Sequence, residues 1–362
     1  IWFSNKEEPV GKLLSTKLFV GIGLISYSLY LWHYPIFAFY RYAFATNSLI
    51  NQFFLVIILI STSILSFFYV EKIFRNKKFS FNKLIKYLVI IFIFILATNF
   101  YFISKNGFQD RAIIDNISID REFYLKEILD WENDYKIKKL NNNQDIKKIN
   151  IIIFGDSHAK NFTMIFKSNH ELFNDYEFNV IGQVSFLFDY LDNSLKDKKK
   201  KDLIKNAEFI LFSYNYVDSE LEKVKKIIPL IKKFTNKEII LTTNNPIFSL
   251  YGSRFTDLDF FLIKKKRKPN DNELAVLEKK YYNFLQNNNS YKYFNIQIKE
   301  LSKKHNLKLL DKSLYQCDDK DKKCLVLTQE NQKINWDSDH HTLNGAKYLG
   351  EIINKKNWFQ IE

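Results

Sequence analysis

The chain has 362 residues and a mass of 43.4 kDa; 46% of the residues are hydrophobic, 17% are aromatic, and the net charge is +14. That length accommodates two domains or more. The basic excess comes with no recognised nucleic-acid motif, so a nucleic-acid partner is not expected: the lysines fall in helical-looking runs such as 196–205, which read as solvated faces. Attraction to anionic lipid or to an acidic glycan is compatible with those runs.

The apolar residues are unevenly spread. Ile, Leu, Phe and Tyr dominate the first hundred positions, and the rest alternates apolar strands with lysine-rich runs. The first residue is Ile and no signal-peptide pattern follows, so the chain reads as the C-terminal part of something longer. Three stretches, 18–40, 53–70 and 84–103, approach the ~20 apolar residues that a membrane helix needs. The first contains Trp32, His33, Tyr34 and Pro35, where it is expected to end or kink with its aromatics at the interface. Lys12 and Lys17 precede it, and Lys72, Arg75, Lys77, Lys78, Lys83 and Lys86 lie between the second and third spans. Only Arg41 lies between the first two. Basic loops stay cytoplasmic, so the third span delivers everything after Ile103 to the outside. The competing reading, buried core helices of a soluble protein, fits neither their length nor the charge bias.

The run Gly23-Leu24-Ile25-Ser26-Tyr27-Ser28-Leu29-Tyr30-Leu31-Trp32-His33-Tyr34-Pro35 resembles the GxxSYSLYLWHxP signature near the end of the acyltransferase-3 family of membrane O-acyltransferases. SFFYVEKIFR, from Ser66 to Arg75, is similar to that family's SxxxYxxxExPxR close, with Ile73 in place of proline. The family's catalytic histidine and arginine motif belong to earlier helices that this sequence lacks. His33 is therefore expected to be a structural or pathway residue rather than the transferase base, although a polar side chain at membrane depth merits a test.

Residues 106–148 are polar and charged and read as a linker, with Phe123 and Trp131 positioned to pin a short helix against the next domain. From Ile149 onward, strand candidates at 149–154, 178–181, 209–213, 238–243 and 308–310 alternate with amphipathic stretches. In 219–234, for example, Leu221, Val224, Ile227, Ile228 and Ile231 share one face. Strands alternating with helices predict a parallel sheet covered on both sides. The two cysteines, Cys317 and Cys324, close a short polar loop, without CxxC zinc spacing or a thioredoxin motif. They read as a disulfide, which requires an oxidising compartment, with two unrelated thiols as the alternative.

The chemistry concentrates in two places. Ile151 to Phe154 run straight into Gly155-Asp156-Ser157-His158, placing Ser157 on a strand-to-helix turn at the carboxyl end of a strand, where α/β folds collect ligands. Far downstream, Asp337 and His340 are three apart in WDSDHHTLNGA, so on one helical turn both side chains can point the same way. A carboxylate on the imidazole Nδ1–H and a serine at Nε2 make a base–nucleophile pair for attack on an ester. The pairing of GDSH with DxxH resembles the SGNH (GDSL-like) hydrolase family, and more narrowly the SGNH domain fused behind acyltransferase-3 domains. Here WDSDHHTLNGAKYLG stands for that group's DDDHLSxxGAxxL, with Ser338, His341 and Thr342 as substitutions, and in that group two cysteines often precede the block.

That resemblance implies a triad of Ser157, Asp337 and His340, and an oxyanion hole made by the Ser157 N–H, Gly182 and Asn215. A plain turn role is the alternative for Gly182 and Asn215. Asp339 with His341 is the competing acid–base pair. A chance GDSH plus a metal-binding DxDHH cluster is the competing reading of the whole constellation. His158 is expected to be structural or substrate-facing, and Asn244-Asn245-Pro246 to border the cleft.

The expected architecture is a membrane α-helical N-terminal region of three spans (1–105), the linker (106–148), and an α/β/α SGNH-hydrolase domain with a parallel sheet (149–362). The resemblance implies an O-acyltransferase, with acetyl the expected group, acting on a cell-surface polysaccharide such as lipopolysaccharide O-antigen. It implies a bacterial inner membrane location with the C-terminal domain in the periplasm. Acetyl-CoA is the acyl donor expected for the full-length protein, with no cofactor or metal in the outer domain. The partners are the polysaccharide and membrane lipid. A carbohydrate acetylesterase with the same triad and a non-catalytic glycan-binding module are the alternatives.

Overall fold

The computed structural model describes residues 9–43, 49–75, 80–105, 112–141, 148–248 and 255–359. Part of the expected linker, including Gly107 and residues 142–147, lies outside them. The chain divides into two compact units, Ile1–Phe108 and Gln109–Glu362.

The first unit is helical: Pro9–Leu14, Lys17–Ala43, Leu49–Ser66 continuing through a π-turn at Phe67–Glu71 into Lys72–Phe74, and Phe81–Ser104. Among the described residues, two helices are long and apolar enough to cross a membrane, Leu49–Phe74 and Phe81–Ser104, not the expected three. Lys17–Ala43 has the length, but Ser26, Tyr27, Ser28, Tyr30, Trp32, His33, Tyr34 and Pro35 dilute its apolar run. It also continues through Pro35 rather than ending there. Phe81–Ser104 buries none of its residues, and Ile90, Phe92 and Phe94 face outward, as a lipid-facing helix requires. Ser28, buried, donates a hydrogen bond to Glu71, so the two motif segments of this unit meet.

The second unit begins with a small antiparallel hairpin, β1 (Ile113–Ile114) and β2 (Ile117–Ser118), followed by the helix Arg121–Asn141. Trp131 of that helix packs on the core of this unit. Five parallel strands follow: β3 (Ile149–Gly155), β4 (Tyr176–Gly182), β5 (Phe209–Ser213), β6 (Glu238–Thr242) and β7 (Lys308–Leu310), in the order β4-β3-β5-β6-β7. The order reverses at β3, the position at which open parallel sheets open a crevice beyond their carboxyl ends.

Alternation along the strands sends side chains to opposite faces. Ile152, Phe154, Ile210, Phe212 and Leu241 pack against the helix Asp218–Phe234 through Val224, Ile227, Ile228 and Ile231. Ile151, Ile153, Leu211 and Ile240 pack against Ser157–Ser168 through Phe162, Ile165 and Phe166, and against Leu343–Lys355 through Ala346, Leu349 and Ile353.

The crossover from β6 to β7 spans residues 243–307, essentially the interval that the strand candidates left. It contains Asp257–Lys265, Asp271–Asn287 and Asn289–His305. The first two build a satellite core with Leu258, Leu262, Leu277, Tyr281 and Cys324. There β8 (Cys317–Asp318) and β9 (Lys323–Cys324) pair antiparallel and Cys317 is disulfide-bonded to Cys324.

A buried ion pair joins this insertion to the segment carrying the DxxH residues. Asp259 is the capping-box residue of Asp257–Lys265: its Oδ2 accepts from the Thr256 N–H at 2.7 Å and hydroxyl at 2.8 Å. Its Oδ1 accepts from Lys333 Nζ at 2.5 Å, with both side chains 1% exposed. Lys333 Nζ also reaches the Trp336 carbonyl at 3.3 Å. Removing one partner strands the other charge in the interior. Lys333→Met should therefore cost about 3–5 kcal/mol of unfolding free energy, and Lys333→Met with Asp259→Leu should recover most of it, read from the denaturant midpoint of this unit.

Candidate active site

The site is built on the turn after β3. Gly155 ends the strand opposite Ser213 of β5, so close that a Cβ there would lie 1.9 Å from the Ser213 carbonyl oxygen. Only glycine fits. Asp156 then caps the helix Ser157–Ser168, its Oδ1 accepting from the His158 N–H at 2.9 Å. Its Oδ2 accepts from the Asn215 N–H at 3.1 Å, tying the loop after β5 to the same turn. Ser157 stands exposed at the first position of the helix. Beneath it, the fully buried Lys312 donates from Nζ to Ser213 Oγ at 2.8 Å. Burial pulls the Lys312 ammonium down to about 7, against the pull of the nearby Asp156 carboxylate.

His340 Nε2 lies 2.9 Å from Ser157 Oγ, and His340 Nδ1 lies 3.0 Å from Asp337 Oδ2. Serine, imidazole and carboxylate are thus in hydrogen-bonded sequence. The expected helical turn is absent, however. Residues 336–341 form a tight loop before the helix Leu343–Lys355, closed by a bond from the Trp336 N–H to the His340 carbonyl at 2.9 Å. Asp337 shapes it: Oδ1 accepts from the Asp339 N–H at 3.0 Å and the His340 N–H at 2.8 Å.

The sequence offers Asp339 as a partner for His341 or as a ligand in a metal-binding DxDHH cluster. In the structure it faces the other way: Oδ1 lies 3.1 Å from His340 Nδ1, and Oδ2 lies 3.3 Å from Nε2 of the buried His158. His341, 1% exposed, points instead at Asn335, its Nδ1 3.3 Å from the amide nitrogen, and its N–H donates to Asn161 Oδ1 at 3.0 Å. Burial, reinforced by the neighbouring His340 and Lys312, pulls its pKa down to about 3, so it is a neutral packing residue.

Burial also opposes the charge on His340, but its hydrogen bonds to Asp337 and then Asp339 outweigh it and raise this imidazole well above its ordinary range. Trp336 stacks on the His340 ring at 5.1 Å, and Arg121 covers the indole at 4.9 Å. Neither the stacking nor the second carboxylate was read from sequence. Spacing within WDSDHH shows five polar side chains but not which way each turns.

Gly182 ends β4 beside Phe154, at φ +110, a left-handed conformation that favours glycine. Asn215 lies two residues beyond Ser213, the partner of Gly155. Both expected oxyanion residues therefore flank the serine turn, one on each side. The Val184 N–H donates to the Tyr214 hydroxyl at 2.7 Å, joining those two loops. Asn245 donates to the Asp339 carbonyl at 3.0 Å, which ties 244–246 to the catalytic loop. His158, Asp339 and His340 offer nitrogen and oxygen atoms within 4.8 Å of one another, the set a metal reading would use. Those same atoms make the contacts that orient His340.

The family model of the SGNH domain fused to AT3 domains matches residues 129–355. No curated protein matches the chain. Among solved structures, the chain is similar to the periplasmic domain of a Salmonella ser. Paratyphi A lipopolysaccharide acetyltransferase: 17% identity, TM-score 0.37, covering 58% of this chain and 84% of that one. It is also similar to an acetyl xylan esterase, AlAXEase, at 14% identity and TM-score 0.31, covering 57% and 98%. A lipase/acylhydrolase from Enterococcus faecalis matches at 15% identity and TM-score 0.30, covering 58% and 95%.

With two carboxylates on Nδ1, proton loss from His340 should set an acid limb of the pH–rate profile above the ordinary imidazole value. Asp339→Asn removes one of them and should move that limb to lower pH by about one unit in kcat/KM for a small acetate ester, with Ser157 still reactive.

Proposed function

We propose, from the premise that the chain belongs to the family of SGNH domains fused to AT3 domains, that it transfers acyl groups through a covalent intermediate on Ser157. The observation that carries this is the preformed series Ser157 Oγ–His340 Nε2 at 2.9 Å and His340 Nδ1–Asp337 Oδ2 at 3.0 Å, on an exposed serine. His340 takes the serine proton as Oγ attacks the carbonyl carbon of the donor ester. It then returns that proton to the leaving group as the tetrahedral adduct collapses to the acyl-enzyme. Asp337 and Asp339 hold the ring and stabilise the imidazolium formed on the way. The oxyanion is received by the Ser157 N–H at the N-terminus of a 12-residue helix, where free amides favour negative charge, with Gly182 and Asn215 on either side.

In the second half a hydroxyl of the acceptor gives its proton to His340 as its oxygen attacks the acyl carbon; the adduct collapses by breaking the bond to Ser157 Oγ, which takes that proton back from His340. We assign acetyl as the group and a cell-surface polysaccharide, such as lipopolysaccharide O-antigen, as the acceptor. The reaction site is the periplasmic side of a bacterial inner membrane. The full-length protein would draw the acyl group from acetyl-CoA across the bilayer. Support for transfer over hydrolysis comes from the family description, which names fusion to AT3 domains, and from the two apolar helices. Hydrolysis by a carbohydrate acetylesterase would use the same Ser157 intermediate with water as acceptor.

A fluorophosphonate probe should label the chain in detergent, and Ser157→Ala should abolish labelling. With p-nitrophenyl acetate as donor and an oligosaccharide as acceptor, acetylated sugar should accumulate, and His340→Gln should lower its rate by about 10³-fold or more. Hydrolysis with no acetylated sugar would assign the chain as an esterase. Absence of labelling would remove the catalytic reading altogether.

A further inference from the structure

Among the described residues β4 pairs with β3 alone and forms one edge of the sheet. An exposed edge is a liability, and lysines are a common guard for it. Here the edge is instead overhung, and a cleft of about 610 Å³ lies along it. Its walls are the helix Arg121–Asn141, the nucleophile helix Ser157–Ser168 and the helix Lys198–Asn206. A neighbouring cleft of about 530 Å³ shares Asn179, Lys199 and Leu203 with it, so the two form one trough.

The lining has two components. Lys136, Lys160, Lys167, Lys199 and Lys200 are set against Glu132 and Asp197, which leaves the wall cationic. Trp131 and Tyr135, one turn apart, expose ring surface to the same space, with centroids 5.6 Å apart and Lys167 Nζ 5.8 Å over the tyrosine ring. A flat ring accepts the C–H face of a pyranose, and ammonium groups around it meet carboxylate or sulfate substituents. Lipid headgroups could meet both lysines and rings, but a cleft walled by three helices suits a chain laid along it better than a flat bilayer surface. Position adds to the chemistry: Lys160 lies on the first turn of the helix that begins at Ser157, and Thr163, Met164 and Lys167 continue the same stripe away from it.

We propose that this trough is a binding site for an anionic polysaccharide, which feeds its hydroxyls to Ser157. The assignment of the ligand as an acceptor rests on the acyl-transfer reading; binding itself does not. Trough and reaction thus fail separately. The lysine side chains reach from three helices, so a charged polymer can be gripped along its length rather than at one point.

The test uses the full chain in detergent with two probes, a galacturonate oligosaccharide and a neutral galactose oligosaccharide of equal length. The galacturonate should bind at least about tenfold tighter at low salt, with the difference shrinking as salt screens exposed charge. Lys136→Gln/Lys160→Gln/Lys199→Gln should reduce galacturonate affinity by about tenfold. Lys226→Gln/Lys303→Gln/Lys320→Gln, the same charge change elsewhere, should reduce it less than twofold. Equal binding of the two probes, equal losses for the two triple variants, or full displacement of the galacturonate by phosphatidylglycerol micelles would each overturn the proposal. Fluorophosphonate labelling of Ser157 in the same samples separates the readings. Labelled protein without galacturonate selectivity sinks the trough alone, and selective binding without labelling sinks the acyl-transfer reading alone.

Discussion

The Asp337 carboxylate carries two tasks that would otherwise need separate groups. Oδ1 accepts the Asp339 and His340 N–H groups at 3.0 and 2.8 Å, which folds the loop, and Oδ2 meets the imidazole at 3.0 Å, which aims it. A loop that must bend to satisfy this carboxylate thereby delivers its histidine to Ser157. A charge-assisted hydrogen bond is stronger than a neutral one, so the loop is held by more than its own backbone closure. Orientation of the base and conformation of the backbone become one interaction rather than two that must be tuned to each other.

The loop is also held from outside. Lys333 anchors its start to Asp259 of the inserted helix, and Asn245 and Phe248 donate to the carbonyls of Asp339 and Ser338 at 3.0 and 2.7 Å. The crossover between β6 and β7 thus acts as a frame for the catalytic loop. Trp336 adds a flat wall against which the imidazole cannot rotate freely, and Arg121 closes the far side of the indole. On the serine side the frame is shorter. Gly155, Asp156 and the contact with β5 set the turn by sterics and by a single shared carboxylate.

The parts of this arrangement that follow from local pattern were legible in the sequence. Runs of β-branched and aromatic residues marked β3, β5 and β6, and the glycine that ends β3 marked the turn, because strand and turn preferences act over a few residues. The Asp337–His340 pairing was legible by spacing, but the geometry behind it was not. A three-residue interval suits a helical turn and an Asx-like loop alike, and the choice is made by Asp337 accepting two backbone N–H groups. The roles of Asp339, Trp336 and Lys333 depend on contacts with distant segments that no local pattern encodes. The first expected membrane span, 18–40, is missing from the candidates for a related reason. The motif that makes Lys17–Ala43 recognisable consists of the tyrosines, serines and histidine that lower its hydropathy.

Two carboxylates on one imidazole nitrogen pull in opposite directions for a base. They strengthen His340 as a proton acceptor, yet they reduce the share of molecules in which it is free to accept. A Brønsted gain that grows less than proportionally with basicity cannot offset a population that falls in full proportion, so in the acyl-transfer reading the charge of Asp339 works against the rate at neutral pH. What Asp339 contributes is then geometric. Asp339 bridges His340 to the buried His158, whose own N–H is bound to the Asp156 cap of the nucleophile helix. The path Asp156–His158–Asp339–His340 connects the serine turn to the base loop, separately from the Ser157–His340 bond. In the acyl-transfer reading an acylated Ser157 loses that bond, and this second path then holds the imidazole without it.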